Sequence, residues 1–382
     1  MGIKEKYKKV IANALNTSPG NVYLFWKGRV ALFTLLKAME VKPGDEIILP
    51  GFTCVVVPNA IKYLDAIPVY VDIKKDTLNP DFDQVVSAIT DKTKVIIVQN
   101  TFGLSSDVDK ISEYAVGHGI FTIEDCTHGF GGMFKGKPNG SYCDAAFFST
   151  QWNKPFSTGI GGFAAVNNNK LLEKVTRLEE DLIHPSLFDE LRLLLLNIAY
   201  RIFLHPWSYW LVRDIYRFLS RHGIVIGSSD TAELTSVMIP EKYFKSVGAV
   251  QAKLETTGIK RIDEKLIERK ENAARYTAFL AEQEKNHVRN EYFSNHSFLK
   301  YPLMVKDRNA FRTEALKNHI PLGDWFVSPI HPVLENYQLW GINLTTIPVA
   351  NEVSSQIVNL PTEDTDIRKV LKFLKSELDL II

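Results

Sequence analysis

Two side chains stand out, each placed just past the end of an apolar run. Lys154 lies in "FFSTQWNKPFSTGIGG" (147–162), between a small apolar stretch that ends at Ser149 and a glycine-rich loop. Asp125 closes "TIED" and leads into "CTHGFGG". A carboxylate at a strand end is costly unless it meets a cation or several donors, so Asp125 either faces a ligand or caps a helix that begins at Cys126. A lysine before Pro155, taken alone, is a surface charge. If the two runs are neighbouring parallel strands, both side chains open into one cleft, where an amine can hold a carbonyl compound as a Schiff base. An aspartate facing the pyridinium nitrogen of pyridoxal phosphate is the partner such chemistry requires.

That cofactor also needs a phosphate cup. "KGRVALFTLL" (27–36) offers one, because Gly28 and Arg29 open a helix whose first N–H groups can bond phosphate oxygens. Ser149 can add its hydroxyl. Each feature also has a plain structural reading, since a glycine before a helix and a serine at a strand end are common.

The elements that must carry these residues alternate through the first half of the chain. "DEIILP" (45–50), "IPVYVDI" (67–73), "KVIIVQN" (94–100), "IFTIED" (120–125) and "DAAFFST" (144–150) read as strands, several apolar on both faces as buried parallel strands are. "VALFTLLKAM" and "DVDKISEYAVGHG" between them have helical spacing. The rhythm predicts an α/β sheet with crossover helices, whose ligands collect at the carboxyl ends of the strands. Beyond residue 170 the character changes. Residues 186–223 are apolar and aromatic, interleaved with Arg192, Arg201, Arg213, Arg217 and Arg221, and hold no uncharged run of the roughly 20 residues a membrane span needs. Residues 260–281 read as a long amphipathic helix, and a strand near 298–305 with helices at 308–318 and 364–378 reads as a small α+β unit. The expected division is a large domain over 1–255, with an apolar helical insert at about 182–235, and a small domain over 256–382.

Of 382 residues, 45% are hydrophobic and 23% charged, the balance of a globular protein with a large core. A net charge of +1 provides no field that would steer the chain to nucleic acid, which leaves small molecules or other proteins as partners. Cys54, Cys126 and Cys143 show no metal-ligand spacing, so a reducing, cytoplasmic compartment is expected. The amino-terminal stretch is charged and helix-like, without a secretory core or a myristoylation pattern.

The ordered set "GDEIILPGFT", "DAIPVYVDIKKDTLN", "GLSSDVDKI" and the run from "HGIFTIEDCTHGF" to "NKPFSTGIGGFA" closely resembles the DegT/DnrJ/EryC1/StrS family of sugar aminotransferases. The likeness resumes at "RIDEKLIERKENAARY", "SPIHPVL" and "IPVANEVSSQIVNLP". It implies a pyridoxal-phosphate transferase of fold type I, with a mostly parallel sheet in the large domain. Carried over by position, it makes Lys154 the Schiff-base lysine, Asp125 the partner of the ring nitrogen and His128 the contact of the ring hydroxyl. Gly28, Arg29 and Ser149 fall on phosphate-binding positions, and His331 falls on a loop bordering the active site. Two departures stand out: Arg29 replaces a small hydroxyl residue, and Cys54 occupies a place where an aromatic commonly stacks on the cofactor ring. The segment by which a partner subunit lends an asparagine is missing.

The resemblance implies amino transfer, usually from glutamate, to a keto-sugar on a nucleotide or lipid carrier, for a surface polysaccharide, lipopolysaccharide or secondary metabolite. It also implies a homodimer. A dehydratase that removes a sugar hydroxyl and a cofactor-binding protein without turnover are the alternatives; family dehydratases carry histidine where this chain has Lys154. The 186–223 insert reads either as extra core or a lid at the dimer interface, or as an interfacial helix pair touching anionic lipid.

Overall fold

The computed structural model describes every residue except 106, 204–230 and 241. Its centre is a seven-stranded sheet in the order β1-β10-β9-β6-β5-β2-β4. Here β1 is Val22–Phe25, β2 Glu46–Pro50, β4 Ile67–Val71, β5 Thr93–Gln99, β6 Phe121–Asp125, β9 Ala145–Ser149 and β10 Gly162–Val166. β3 (Thr53–Cys54) lies outside this sheet, and β7 (Met133–Phe134) pairs with β8 (Lys137–Pro138) as a small hairpin. β2, β4, β5, β6 and β9 are parallel neighbours, whereas β10 runs antiparallel to both β9 and β1.

Helices cover both faces because alternate residues of each strand point to opposite sides. Ile47, Leu49, Ile97, Ile123 and Phe147 bury against Leu32, Leu35 and Leu36 of α2 (Gly28–Ala38). Ala146, Phe148 and Phe163 turn the other way, onto Tyr7 and Ile11 of α1 (Ile3–Leu15). Ile96 and Val98 meet Val108 and Ile111 of α3 (Val108–Gly117) on that second side. The five runs expected to be parallel strands are all strands, with ends shifted by two residues at most. β1 and β10 were not expected.

After the sheet come α4 (Asn169–Glu180) and α5 (Leu187–Phe203), which is the described part of the 186–223 insert; 204–223 lies outside the described residues. No described helix is long and apolar enough to cross a membrane. The chain continues through α6 (Thr231–Thr235), α7 (Ala249–Gly258) and α8 (Ile262–Glu282). A separate core gathers Tyr276 and Leu280 of α8 with β11 (Tyr301–Met304), β13 (Ile357–Leu360), α9 (Arg308–Lys317) and α10 (Ile367–Ser376). A further cluster joins Phe52, Val55 and Phe102 to Phe326, Ile330, Trp340 and Ile347. It brings β12 (Ile330–His331) beside β3 in a parallel pair, with Cys54 opposite His331.

A candidate pyridoxal-phosphate site at the strand ends

β6 and β9 are adjacent, with Asp125 in register with Phe147, so their carboxyl ends open side by side. They open into a cavity of about 560 Å³ whose wall includes Asp125, Ser149, Lys154, Gly28, Arg29, Cys54 and His331. Seven of the eight residues singled out in the sequence therefore share one wall.

Asp125 is buried, and its Oδ1 accepts the Thr127 N–H at 3.0 Å. No helix starts at Cys126; the segment runs in turns, so the helix-cap reading of Asp125 does not hold. Burial raises the carboxyl above its ordinary range, opposed by the Thr127 donors and then by the charge of Lys154. A cation arriving beside it would reverse that shift.

Lys154 rides a loop closed at its base by Thr150 N–H to the Gly161 carbonyl (3.1 Å) and Thr158 N–H to the Thr150 carbonyl (2.9 Å). Behind the base, Thr150 Oγ1 donates to the buried carboxyl of Glu255. The buried guanidinium of Arg269 donates to the Pro155 carbonyl at 2.7 Å and also pairs with Glu363. The Lys154 ammonium sits 4.4 Å from the centroid of the Trp325 ring, and among the described residues no carboxylate lies within ion-pair distance of it. Burial lowers its pKa to about 8, partly offset by Cys54 and Asp125. That leaves about a tenth of the amine neutral at pH 7, far more than an ordinary lysine has, which favours its use as a nucleophile.

At the start of α2, a Cβ on Gly28 would stand 2.6 Å from the Phe148 carbonyl oxygen and 3.2 Å from the Ser149 Cβ. Only glycine lets the helix start come this close to the end of β9. Arg29, next along, is buried and forms an ion pair with Glu233 of α6. Tyr243 donates to the Arg29 carbonyl at 3.1 Å, and Leu234 joins the cavity wall. Cys54 and His331 form another part of the wall as backbone neighbours. The Cys54 thiol is pushed up by burial. Burial pushes His331 down to about 4, and its Nδ1 accepts the Val327 N–H at 3.2 Å, leaving Nε2 as the protonated nitrogen.

His128 is the exception. It is buried off the cavity wall, with its ring flat against Trp325 at 4.6 Å and 5°. Its Nδ1 accepts the Phe102 N–H at 3.2 Å, and burial, then the charge of Lys154, holds it neutral. Sequence reasoning passed over Trp325, Glu233 and Glu255. The adjacent Gly161 and Gly162 carried a trace of the last, because a side chain on Gly161 would collide with the Glu255 carboxyl.

The DegT/DnrJ/EryC1/StrS aminotransferase family model matches residues 23–192 and 212–372. The chain belongs to that family. GDP-perosamine synthase of Escherichia coli O157:H7 is 37% identical to it over 147 residues, 38% of this chain and 40% of that protein. L-glutamine:2-deoxy-scyllo-inosose aminotransferase of Streptomyces kanamyceticus is 37% identical over 154 residues, 40% of this chain and 36% of that protein. The chain thus matches about two fifths of the length of these curated relatives. In fold it is similar over 99% of its length to the aminotransferase TlmJ of Streptoalloteichus hindustanus (20% identity, TM-score 0.75, 91% of that chain). The structure of NtdA from Bacillus subtilis with its cofactor PMP bound is also similar (21% identity, TM-score 0.71, 99% of this chain and 78% of that one).

Pyridoxal 5'-phosphate is the cofactor of the family, and the residues present fit it. The cavity has room for it. An amine and a carboxylate that have no ion-pair partner among the described residues face that space, and the Gly28 cradle is one that a single methyl group would fill.

Proposed function

We propose that the protein is a pyridoxal-phosphate-dependent aminotransferase that moves an amino group from glutamate to a keto-sugar, on the way to an amino sugar of a surface polysaccharide or related product. The observation that carries this reading is the convergence of the Lys154 amine and the Asp125 carboxylate on one cavity, from the loop after β9 and from the last residue of its parallel neighbour β6. The names of two relatives, a GDP-perosamine synthase and an L-glutamine:2-deoxy-scyllo-inosose aminotransferase, support a sugar-like acceptor, and the first supports a nucleotide carrier.

Bound here, pyridoxal phosphate supplies an electron-poor ring that takes up the electron pair left when a substrate C–H proton departs. The chain's residues do the rest. Lys154 Nζ would hold the cofactor, and the same amine, when free of it, would act as base and acid for the substrate C–H proton. Asp125 keeps a proton on the ring nitrogen by charge. The N-terminal N–H groups of α2 and the Ser149 hydroxyl hold the phosphate, with Gly28 allowing the approach. Arg29 pairs with Glu233 and so ties down the segment whose Leu234 lines the cavity. His331, neutral with its proton on Nε2, offers a donor to an acceptor hydroxyl.

The test is mass spectrometry of products from a panel of keto-sugar nucleotides with glutamate, with glutamine as a second donor. The expected result is one aminated sugar, lost in Lys154→Ala. Dehydrated sugar without nitrogen, or a cofactor band indifferent to every amino donor, would overturn the assignment.

A homodimer belongs to the same proposal. α5 exposes Leu187, Phe188, Leu191, Leu195, Ile198 and Ile202 along one stripe, while Asp189 pairs with Lys245. A second copy of the chain covers this stripe in our reading, with an anionic lipid surface as the competing one. Sedimentation of Leu191→Lys/Leu195→Lys decides: dissociation to monomer supports the first, and an intact dimer that no longer floats with anionic vesicles supports the second.

A further inference from the structure

The site lacks one part that its chemistry calls for. A flat, electron-poor ring held beside a lysine is best gripped by an aromatic face, and Cys54, at the position where the family resemblance places that face, has only a neutral thiol. The structure holds an aromatic elsewhere on the same wall. Trp325 lines the cavity, and its indole lies under the Lys154 ammonium, 4.4 Å from the ring centroid.

Trp325 is held in place from behind. Its ring is parallel to His128 at 4.6 Å and 5°, and the His128 ring is parallel to that of Phe102 at 5.9 Å and 7°. Its backbone N–H donates to Oδ1 of the buried Asn359 at 2.8 Å, and the nearby Gly323 N–H donates to the Asn359 carbonyl at 2.9 Å. β13 thus fixes where the indole stands. His128 stays neutral in this stack because burial, and then the charge of Lys154, disfavours the imidazolium.

We propose that Trp325 is the aromatic wall for the cofactor ring in this chain, standing in for the absent aromatic at Cys54 and holding the Lys154 amine over its face until the ring arrives. The inference rests on the pyridoxal-phosphate reading of the site. An indole face attracts an ammonium before binding and an electron-poor pyridinium afterwards, so one side chain serves both states. His128 becomes a positioning residue that backs the indole.

The experiment uses full-length protein freed of cofactor and titrated with pyridoxal phosphate, as wild type, Trp325→Phe and Trp325→Leu. Leu keeps apolar bulk without a π face. We expect the dissociation constant to rise roughly three- to tenfold for Trp325→Leu and to stay within about twofold for Trp325→Phe, given the usual worth of an aromatic pair. Cofactor binding should quench tryptophan emission in the wild type, and Trp325→Phe should lose the largest share of that quenching. An unchanged dissociation constant in a folded Trp325→Leu protein, or full quenching in Trp325→Phe, overturns the proposal. If Trp325→Leu fails to fold, the Trp325→Phe quenching alone decides. Wild-type protein that takes up no pyridoxal phosphate overturns the reading of the site as a whole, a result distinct from these.

Discussion

Gly28 presses against the Phe148 carbonyl so closely that any Cβ there would lie 2.6 Å from the oxygen. Gly28→Ala must push the start of α2 away from the end of β9. Overpacking of this kind costs about 1–3 kcal/mol, and it also spoils the phosphate cup. Urea unfolding should show the loss of stability, and equilibrium dialysis should show pyridoxal phosphate binding weakened by more than the loss in Trp325→Leu.

The depressed pKa of Lys154 has a sign that can be checked. Folded, the amine gives up its proton near pH 8; unfolded, it does so near 10.5. Uptake of pyridoxal phosphate by the cofactor-free protein should therefore accelerate as pH rises through about 8 and level off above it. Between those two values the unfolded chain binds more protons, so stability rises with pH there and falls as pH drops back to about 8. Lys154→Met should remove both trends, which stopped-flow absorbance and thermal melts would follow.

Glu255 behaves the opposite way. Burial raises its carboxyl to about 8 from an ordinary 4.5, so the folded protein keeps a proton that the unfolded chain releases. Its contribution is fully present below about pH 4.5 and lost by about pH 8. Glu255→Gln keeps a neutral, hydrogen-bonding group beside Thr150 and should flatten this part of the profile, leaving the variant more stable than wild type at pH 8. A melting temperature that falls equally in both proteins between pH 5 and 8 would contradict the argument.

The Arg29 and Glu233 side chains are 5% and 2% exposed and form an ion pair in the interior. Glu233→Ala removes this ion pair from a buried guanidinium and should destabilise the fold, by at most about 3–5 kcal/mol. The double replacement Arg29→Met/Glu233→Leu should recover most of that loss. Chemical denaturation of the wild type, the single variant and the double variant measures the coupling; equal losses in the single and double variants would show that the pair contributes nothing specific.

Much of this site was legible because strand ends are legible. Asp125 and Lys154 follow long apolar runs, and runs buried on both faces announce themselves by composition alone. β1 and β10 escaped for physical reasons. Val22–Phe25 is only four residues long and buried throughout, so it has no alternation to read. β10 begins at Gly162, which reads as loop, although the glycine is there because the start of α2 leaves no room for a side chain. The Arg29–Glu233 pair was invisible, since two charges far apart in the chain carry no mark of their meeting. Trp325 was missed for a related reason: its importance comes from rings contributed by other elements. The line between the two expected domains is blurred by α8, whose Ile262 packs with the sheet's helices while Leu280 packs in the carboxyl-terminal core.

The two-rung pairing of β3 with β12, Thr53 opposite Ile330 and Cys54 opposite His331, also bears on when the cavity wall is complete. One strand, β3, emerges from the ribosome long before the other, β12. A nascent chain can complete its sheet, with Asp125 and Lys154 in place, and still present an open trough. Retention of the vitamin-derived group is therefore expected to wait until β12 has been made, and a shortened chain ending before β12 should be translated normally yet remain colourless.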